Sequence, residues 1–281
     1  MIATIIISVL VLALIGLILG AVIAFTAKKF QVESDPRIEE VQNMLPGANC
    51  GGCGYAGCAD FAQAIVAKGE NPNKCSAISD ESCQAIANLL GCELTAMEKK
   101  VAVVFCSGAN DKAKHYAQYN GILDCRSAML VANGAGKACR FGCLGYGSCA
   151  RACPFGAIEI RNGLAVVHPE LCAGCGKCES VCPRKLIKLV PVSAAHVHIY
   201  CNSLDKPVQR RKACSAGCLS CRKCIKAGGE EHFSSQGFMV RINYNNPPDE
   251  SVVESAGCPT GCIRREIDHR NPQIPDKENK K

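Results

Sequence analysis

Ile2 to Phe25 is a run of 24 residues without a charge. As a helix it spans about 36 Å, against a hydrocarbon core of about 30 Å. A cleaved signal peptide would want a basic start, an apolar stretch of about 7–15 residues and a small-residue cleavage site. Here Met1-Ile2-Ala3-Thr4 precedes an overlong run, and Lys28 and Lys29 come after it. The pattern predicts one membrane anchor over residues 1–29. The two lysines predict that the remainder of the chain lies on the cytoplasmic side of the cell membrane. A single apolar helix cannot by itself carry an ion across.

Past the anchor the pattern breaks into short pieces. Residues 31–46 are mixed polar, with Pro36 and Pro46, and read as a tether. Ala59 to Lys68 has helical spacing, with Phe61, Ile65 and the stem of Lys68 on one side. Cys83–Leu90 predicts a second helix ending at Gly91. Val101–Phe105 and Val197–Tyr200 are short β-like runs, each ending at a cysteine, Cys106 and Cys201. The expected class is α+β, a transmembrane helix followed by small domains. With no Trp and 5% aromatic residues, no large conventional core is expected.

Composition then supplies the chemistry. Twenty-three of 281 residues are cysteine, a density of disulfide scaffolds or metal proteins. The count is odd and the chain is neither short nor visibly secreted, which favours metal. Residues 172–183 read CAGCGKCESVCP, or C-x2-C-x2-C-x3-C-P. That run wraps three thiolates around one 4Fe–4S cluster and sends the fourth to another. A zinc ribbon lacks the third close cysteine and the proline. Gly52, Gly54 and Gly57 match G-x-G-x-x-G, but no strand precedes them and cysteines interleave them, so no dinucleotide site is expected.

Sister units surround this run. Cys143-x2-Tyr146-x2-Cys149-x3-Cys153-Pro154 has a tyrosine in place of one ligand. Cys218-x2-Cys221-x2-Cys224-x3-Gly228 has lost the fourth, and of a last unit only Cys258-Pro259 remains. By the two-cluster rule, Cys153 joins Cys172, Cys175 and Cys178, and Cys258 joins Cys218, Cys221 and Cys224. The losses at Gly228 and in the absent trio fall on one and the same cluster. Cys143, Cys149 and Cys182 form an incomplete set. Its fourth ligand is either Cys139, the favoured reading, or absent, as in a 3Fe–4S cluster. Upstream, Cys50-x2-Cys53-x4-Cys58 with Cys75 makes another set. At least four 4Fe–4S clusters are expected.

Each β-like run leads through a polar stretch to Lys-Ala-Cys-x3-Cys-Leu, an internal repeat. Cys106, Cys125, Cys201 and Cys214 are possible additional ligands, their role left open. Cys83 and Cys92 read as structural, and Cys262 as a small buried apolar residue. His196 and His198 alternate on a strand and read as ordinary surface or core groups rather than ligands. The expected domains are 1–29, the anchor; 30–100, an N-terminal 4Fe–4S domain; 101–135, a connecting segment; 136–192, a two-cluster ferredoxin-like domain; and 193–281, a degenerate ferredoxin-like domain with a polar tail. The net charge of +7 is uneven: Lys206, Arg210, Arg211, Lys212, Arg222, Lys223 and Lys226 gather in the last domain. They read as a docking face for an acidic redox protein. No recognition motif points to nucleic acid, and no catalytic residues, triad or P-loop are found.

The stretches GANCGGCGYAGC with Cys75, VAVVFCSG, CRFGCLGYGSCARACPFGAI and CAGCGKCESVCP, behind a single anchor, resemble the B component of the Rnf complex. That family is an ion-translocating ferredoxin:NAD oxidoreductase of the cytoplasmic membrane. The resemblance covers nearly the whole chain and is most specific over residues 48–190. It implies an electron-transfer subunit that accepts electrons from soluble reduced ferredoxin and passes them through its clusters to flavin-bearing membrane subunits. Flavins, NAD and the ion path would belong to those other subunits. The Gly228 and lost-trio departures set this chain apart from fuller relatives. An alternative keeps the clusters but reduces a redox-sensing regulator; a third reading, from a different class, is a zinc or metal-storage scaffold.

Overall fold

The structure is a computed structural model that describes residues 2–29, 35–131 and 134–270. The first residues of the tether and the polar tail from residue 271 lie outside the described residues. Two compact units emerge, Met1–Glu40 and Val41–Lys281. In the first, α1 (Ile2–Lys29) contains a 22-residue stretch, Ile5–Thr26, long and apolar enough to cross a membrane. Its large side chains are exposed all round, which water would penalise and lipid would not. The one hydroxyl near its end, Thr26, is satisfied internally by the Val22 and Ile23 carbonyls at 2.9 and 3.0 Å.

The larger unit begins with a helical region. Helix α2 (Pro36–Met44) runs into it, and α3 (Cys58–Lys68) and α4 (Asp80–Leu90) come next. Val41, Phe61, Ile65 and Ile86 are among its fully buried side chains. Ser79 caps α4 by accepting from the Ser82 N–H at 3.1 Å. Gly69 and Gly91 end α3 and α4 in the left-handed region, φ 67° and 65°, the conformation in which glycine carries no Cβ penalty.

Two copies of one module complete the unit. The first comprises β1 (Lys100–Val104), α5 (Cys125–Leu130), α6 (Ser148–Ala152), β2 (Ile158–Arg161), β3 (Leu164–Val167), α7 (Lys177–Val181) and β4 (Ile187–Pro191). The β2–β3 hairpin closes through Asn162-Gly163, both at positive φ (47° and 69°), as a two-residue type I′ loop requires. β1 pairs antiparallel with β4, from Lys100↔Pro191 to Val104↔Ile187. The run expected to open a connecting segment is thus a strand of the module itself. Its apolar face has to be buried, and Ala102 and Val104 join the core around Cys143, Cys149 and Cys178.

The second copy comprises β5 (Val197–Ile199), α8 (Pro207–Ala213), α9 (Lys223–Gly228), β6 (Phe233–Gln236), β7 (Met239–Ile242), α10 (Val252–Ser255), β8 (Ile263–Arg265) and α11 (Glu266–Arg270). β5 pairs with β8 and β6 with β7, both antiparallel. Matching bonds mark the repeat: Phe105 N–H donates to the Leu186 carbonyl and Tyr200 N–H to the Cys262 carbonyl, both at 2.9 Å. Where the complete motif carries its fourth cysteine, Gly228 sits so close to Phe233 and Val252 that a Cβ would lie 2.8 Å from each side chain. Phe233, Met239, Val240, Ile242 and Val252 form an apolar core there. Hydrocarbon fills the region that lost its ligands.

His198, on β5, is completely buried against Tyr244, with Nδ1 2.8 Å from the phenol oxygen. Burial lowers its pKa to about 4. His196 is exposed near Glu250, and neither lines a cysteine cavity.

Two outcomes are expected. Gly228→Ala overpacks the Phe233–Val252 contact and costs about 1–3 kcal/mol, read as a lower thermal midpoint; a midpoint equal to that of the wild type would count against the close packing. His198 is neutral when folded, while the unfolded imidazole takes a proton near its ordinary value, about 6.5. Its contribution is therefore complete above that pH and is lost as pH falls towards 4, by about 3 kcal/mol in all. His198→Phe should flatten the fall of the thermal midpoint between about pH 7 and pH 5; an unchanged slope would contradict this.

Candidate metal centres

The loops that carry the close cysteine trios have to turn sharply around a common space, and their backbone shows how. Between the cysteines, each trio places two residues at positive φ. They are Gly145 and Gly147 (79°, 74°), Gly174 and Gly176 (67°, 78°), and Ser220 and Arg222 (57° each). The last pair holds a left-handed conformation without glycine, a strained arrangement of the kind found where surrounding structure over-determines the backbone. Each trio then enters a short helix on its third cysteine: Cys149 in α6, Cys178 in α7, Cys224 in α9.

In the N-terminal region Cys58 opens α3, its N–H held by Asn49 Oδ1 at 2.8 Å. Burial raises the Cys75 thiol, and the sulfurs of Cys50, Cys53 and Cys58 beside it raise it further. These four stand together as the spacing suggests. This set adjoins the next one. A Cβ at Gly52 would lie 3.0 Å from the Cys175 Cα, and Lys177 Nζ donates to the Asn49 carbonyl at 3.4 Å.

Cys153, Cys172, Cys175 and Cys178 also converge. Burial pushes the Cys178 thiol up to about 12, with Cys172, Cys175 and Cys153 adding to the rise. The Ala102 N–H points to Cys172 Sγ at 3.5 Å.

The incomplete set is closed by a residue outside the motif. A small cavity is lined by Cys125, Cys143, Cys149 and Cys182. Cys139, the favoured fourth ligand, does not line it. Cys125 starts α5, where Asp124 Oδ2 accepts from the Arg126 and Ser127 N–H groups at 3.0 and 2.9 Å. Ser148 Oγ accepts from the Cys125 N–H at 2.8 Å and donates to Asp124 Oδ1 at 2.6 Å. The Ser148 hydroxyl leads the causes that draw the Asp124 carboxyl down to about 2. Tyr146, at the vacated position, packs on Tyr119 with ring centres 5.1 Å apart. The signal for Cys125 was in the sequence: the first repeat carries about twenty more residues between its paired cysteines than the second, and Cys125 lies in that excess.

Cys218, Cys221, Cys224 and Cys258 line a second small cavity, with Cys262 in its wall. Cys262 is fully buried in an apolar core with Cys201, and Cys218 packs against the same core. Cys139 lies with Cys106, Cys201 and Cys214 around a separate cavity. Cys83 is a structural thiol that donates to Asn73 Oδ1 at 2.7 Å, and Cys92 is half-buried away from these cavities.

Among the described residues, no three or more His, Cys, Asp or Glu close on a single-ion site. The thiols instead line small cavities in sets of four, a donor set that fits 4Fe–4S clusters. Burial favours the protonated thiol, up to about 12 at Cys149 as well. Ligation releases those protons, so cluster assembly is favoured by rising pH.

Cys221 is the one exposed cysteine. In the same module Lys206, Arg211, Lys212, Arg222, Lys223 and Lys226 are exposed. Arg210 does not belong to this face. It is 1% exposed and turned inward, donating to the carbonyls of Cys218 and Asp205 at 2.6 and 2.9 Å, because a helix of seven residues packed on the module must bury one side.

Comparison with known proteins agrees with this geometry. Residues 45–77 match the family model described as a putative Fe-S cluster, and residues 147–192 the LdpA Fe-S cluster-binding domain. The chain is 39% identical to the B component of the Na(+)-translocating ferredoxin:NAD(+) oxidoreductase complex of Acetobacterium woodii, over 96% of this chain and 80% of the relative. It is 35% identical to the B component of the ion-translocating oxidoreductase complex of Methanosarcina acetivorans, over 94% and 97%. To the B component of the proton-translocating ferredoxin:NAD(+) oxidoreductase complex of Clostridium ljungdahlii it is 38% identical, over 93% and 92%. With thiol sets of cluster spacing, an apolar N-terminal helix and likeness along nearly its full length, the chain belongs to the RnfB family, the iron–sulfur B components of the Rnf-type ion-translocating oxidoreductase complexes of membranes.

Proposed function

We propose that the chain relays single electrons from a soluble reduced ferredoxin to flavin-bearing membrane subunits of its complex. Four 4Fe–4S clusters would be held by Cys50, Cys53, Cys58 and Cys75; by Cys153, Cys172, Cys175 and Cys178; by Cys125, Cys143, Cys149 and Cys182; and by Cys218, Cys221, Cys224 and Cys258. Clusters so held supply one-electron chemistry in which no substrate bond is made or broken. The observation that carries the reading is a gradient of exposure. Cys221 stands at the surface of a module with six exposed cations, while the other sets lie half-buried or buried. An acidic carrier is steered to such a face by charge, and the protein interior beyond it shields the path from water.

The set around Cys75 comes next after the anchor in sequence, which makes it the output to membrane partners. The contact of Gly52 with Cys175 supports passage into it from the middle module. Lys28 and Lys29 support a cytoplasmic placement of the soluble unit. Backbone N–H groups directed at Cys172, Cys182, Cys218 and Cys258, at 3.3–3.5 Å, would stabilise electron-rich sulfur and so raise the potential of the group it holds.

Three measurements test this. Cys125→Ser should convert the middle set to a three-thiol site, seen as a 3Fe–4S-type EPR signal in the oxidised chain. Cys139→Ser should not give that signal at this set; the reverse result would return the fourth position to Cys139. In membranes, Cys75→Ala should abolish ferredoxin-dependent NAD reduction while ferredoxin still bleaches the remaining clusters. Arg222→Glu with Lys223→Glu should raise the KM for ferredoxin about tenfold at low salt, an effect that shrinks as ionic strength rises. Wild-type rates in the Cys75→Ala membranes would sink the assignment.

A further inference from the structure

A small cavity, like the two already described, is lined by Cys106, Cys139, Cys201 and Cys214. Each repeat contributes one pair. Cys106 and Cys201 occupy the same tight turn, their N–H groups donating to the Val104 and Ile199 carbonyls at 2.8 and 2.9 Å. The second pair is brought in by backbone. Ala113 bridges Cys214, Lys114 N–H donates to the Ala213 carbonyl, and Ser215 N–H donates to the Lys112 carbonyl, both at 2.9 Å. Glycine keeps the sulfurs close together. A Cβ at Gly108 would lie 3.5 Å from both Cys106 Sγ and Cys214 Sγ, and one at Gly142 would lie 3.5 Å from Cys139 Sγ and 3.7 Å from Cys106 Sγ.

Charge points the same way. Lys137 and Arg210 line this cavity and both are buried. Lys137 Nζ reaches only the Gly108 and Cys143 carbonyls, at 2.6 Å each. The Arg210 Nε is buried with no hydrogen-bond partner. Among the described residues no carboxylate pairs with either cation. A buried cation without a counter-charge is expensive, and four thiolates around a cluster supply a net negative charge at that spot. The cysteines are all free rather than paired as disulfides.

We propose that Cys106, Cys139, Cys201 and Cys214 bind a fifth 4Fe–4S cluster, which joins the C-terminal module to the middle one. The inference rests on the reading of the other thiol sets as cluster sites. Its position is set by contacts on both sides. The Cys143 N–H, from the middle set, donates to Cys106 Sγ at 3.3 Å. On the other side Cys201 of this set and Cys262 share a buried core, against which Cys218 of the exposed set packs. Lys137 and Arg210 act as positioning and charge-balancing residues.

The test is an anaerobic iron and sulfide count on the full chain, reconstituted with both. Five filled sets give about twenty irons per chain. Cys214→Ser and Cys106→Ser should each lose at least one iron, as a three-thiol site does, and the double variant at most about four irons and four sulfides, because one cluster is at stake. Spin–spin broadening in the EPR spectrum of the reduced chain should diminish in the same variants. Cys172→Ser is the control. Iron retained in Cys214→Ser but lost in Cys172→Ser overturns the fifth site and leaves the relay standing; iron retained in both overturns the relay as well. If the variants do not fold, the wild-type chain decides: a count of about sixteen irons, or zinc in the preparation in place of iron, overturns the proposal.

Discussion

A thiolate inside a protein has to be met by positive charge or by hydrogen-bond donors, and much of the soluble unit is arranged to meet that need. Backbone N–H groups approach Cys106, Cys172, Cys182, Cys218 and Cys258 at 3.3–3.5 Å. Loops that do this must fold back on themselves, which is why residues between the cysteines take positive φ. Buried Lys137 and Arg210 and half-buried Arg184 line the same cavities, their charges directed to carbonyls and sulfur rather than to carboxylates. Several cysteines are themselves core residues, Cys106, Cys143, Cys149 and Cys178 among Val, Leu and Ile side chains. In a chain with no Trp and few aromatics, ligation and packing are one energetic problem. A module that lost its clusters would lose part of the free energy that folds it.

The two modules show how such a scaffold tolerates loss. In the first, Tyr146 stands where the complete motif has a cysteine, and Cys125, from an inserted segment held by the Asp124–Ser148 pair, lines the cavity. In the second, the whole region has turned to hydrocarbon, and Phe233 with Val252 closes over Gly228. Both solutions obey the same rule: a space inside a protein is filled by whatever restores the contacts the interior needs.

Seen along the chain, the sets form a path rather than a collection. Gly52 touches Cys175, Cys143 touches Cys106, and Cys201, Cys262 and Cys218 belong to one core. The exposed end of the path is basic. Such an arrangement suits a subunit whose task is to move charge between partners rather than to transform a substrate, and it is consistent with membership of a translocating oxidoreductase complex.

Much of this was legible in the residues. Fixed spacing of C-x2-C-x2-C-x3-C-P, an uncharged run of membrane length and the positions of Gly69 and Gly91 are local properties, and local properties survive in a linear sequence. So did the family, because its motifs are contiguous. The features that the sequence could not decide depend on contacts between distant segments. The motif reading favours Cys139 for the middle set, and it is the packing of α5 against Ser148 that brings Cys125 to the cavity instead. Arg210 reads as one more surface cation until α8 is seen with that side chain inward. β1 reads as a connector until it pairs with β4, nearly ninety residues on. Cys106, Cys139, Cys201 and Cys214 recur at matching places in the two repeats, but their common space exists only where the repeats meet. Spacing along the chain fixes a ligand set when one loop supplies it; when several elements supply it, the free energy of packing them together chooses the members.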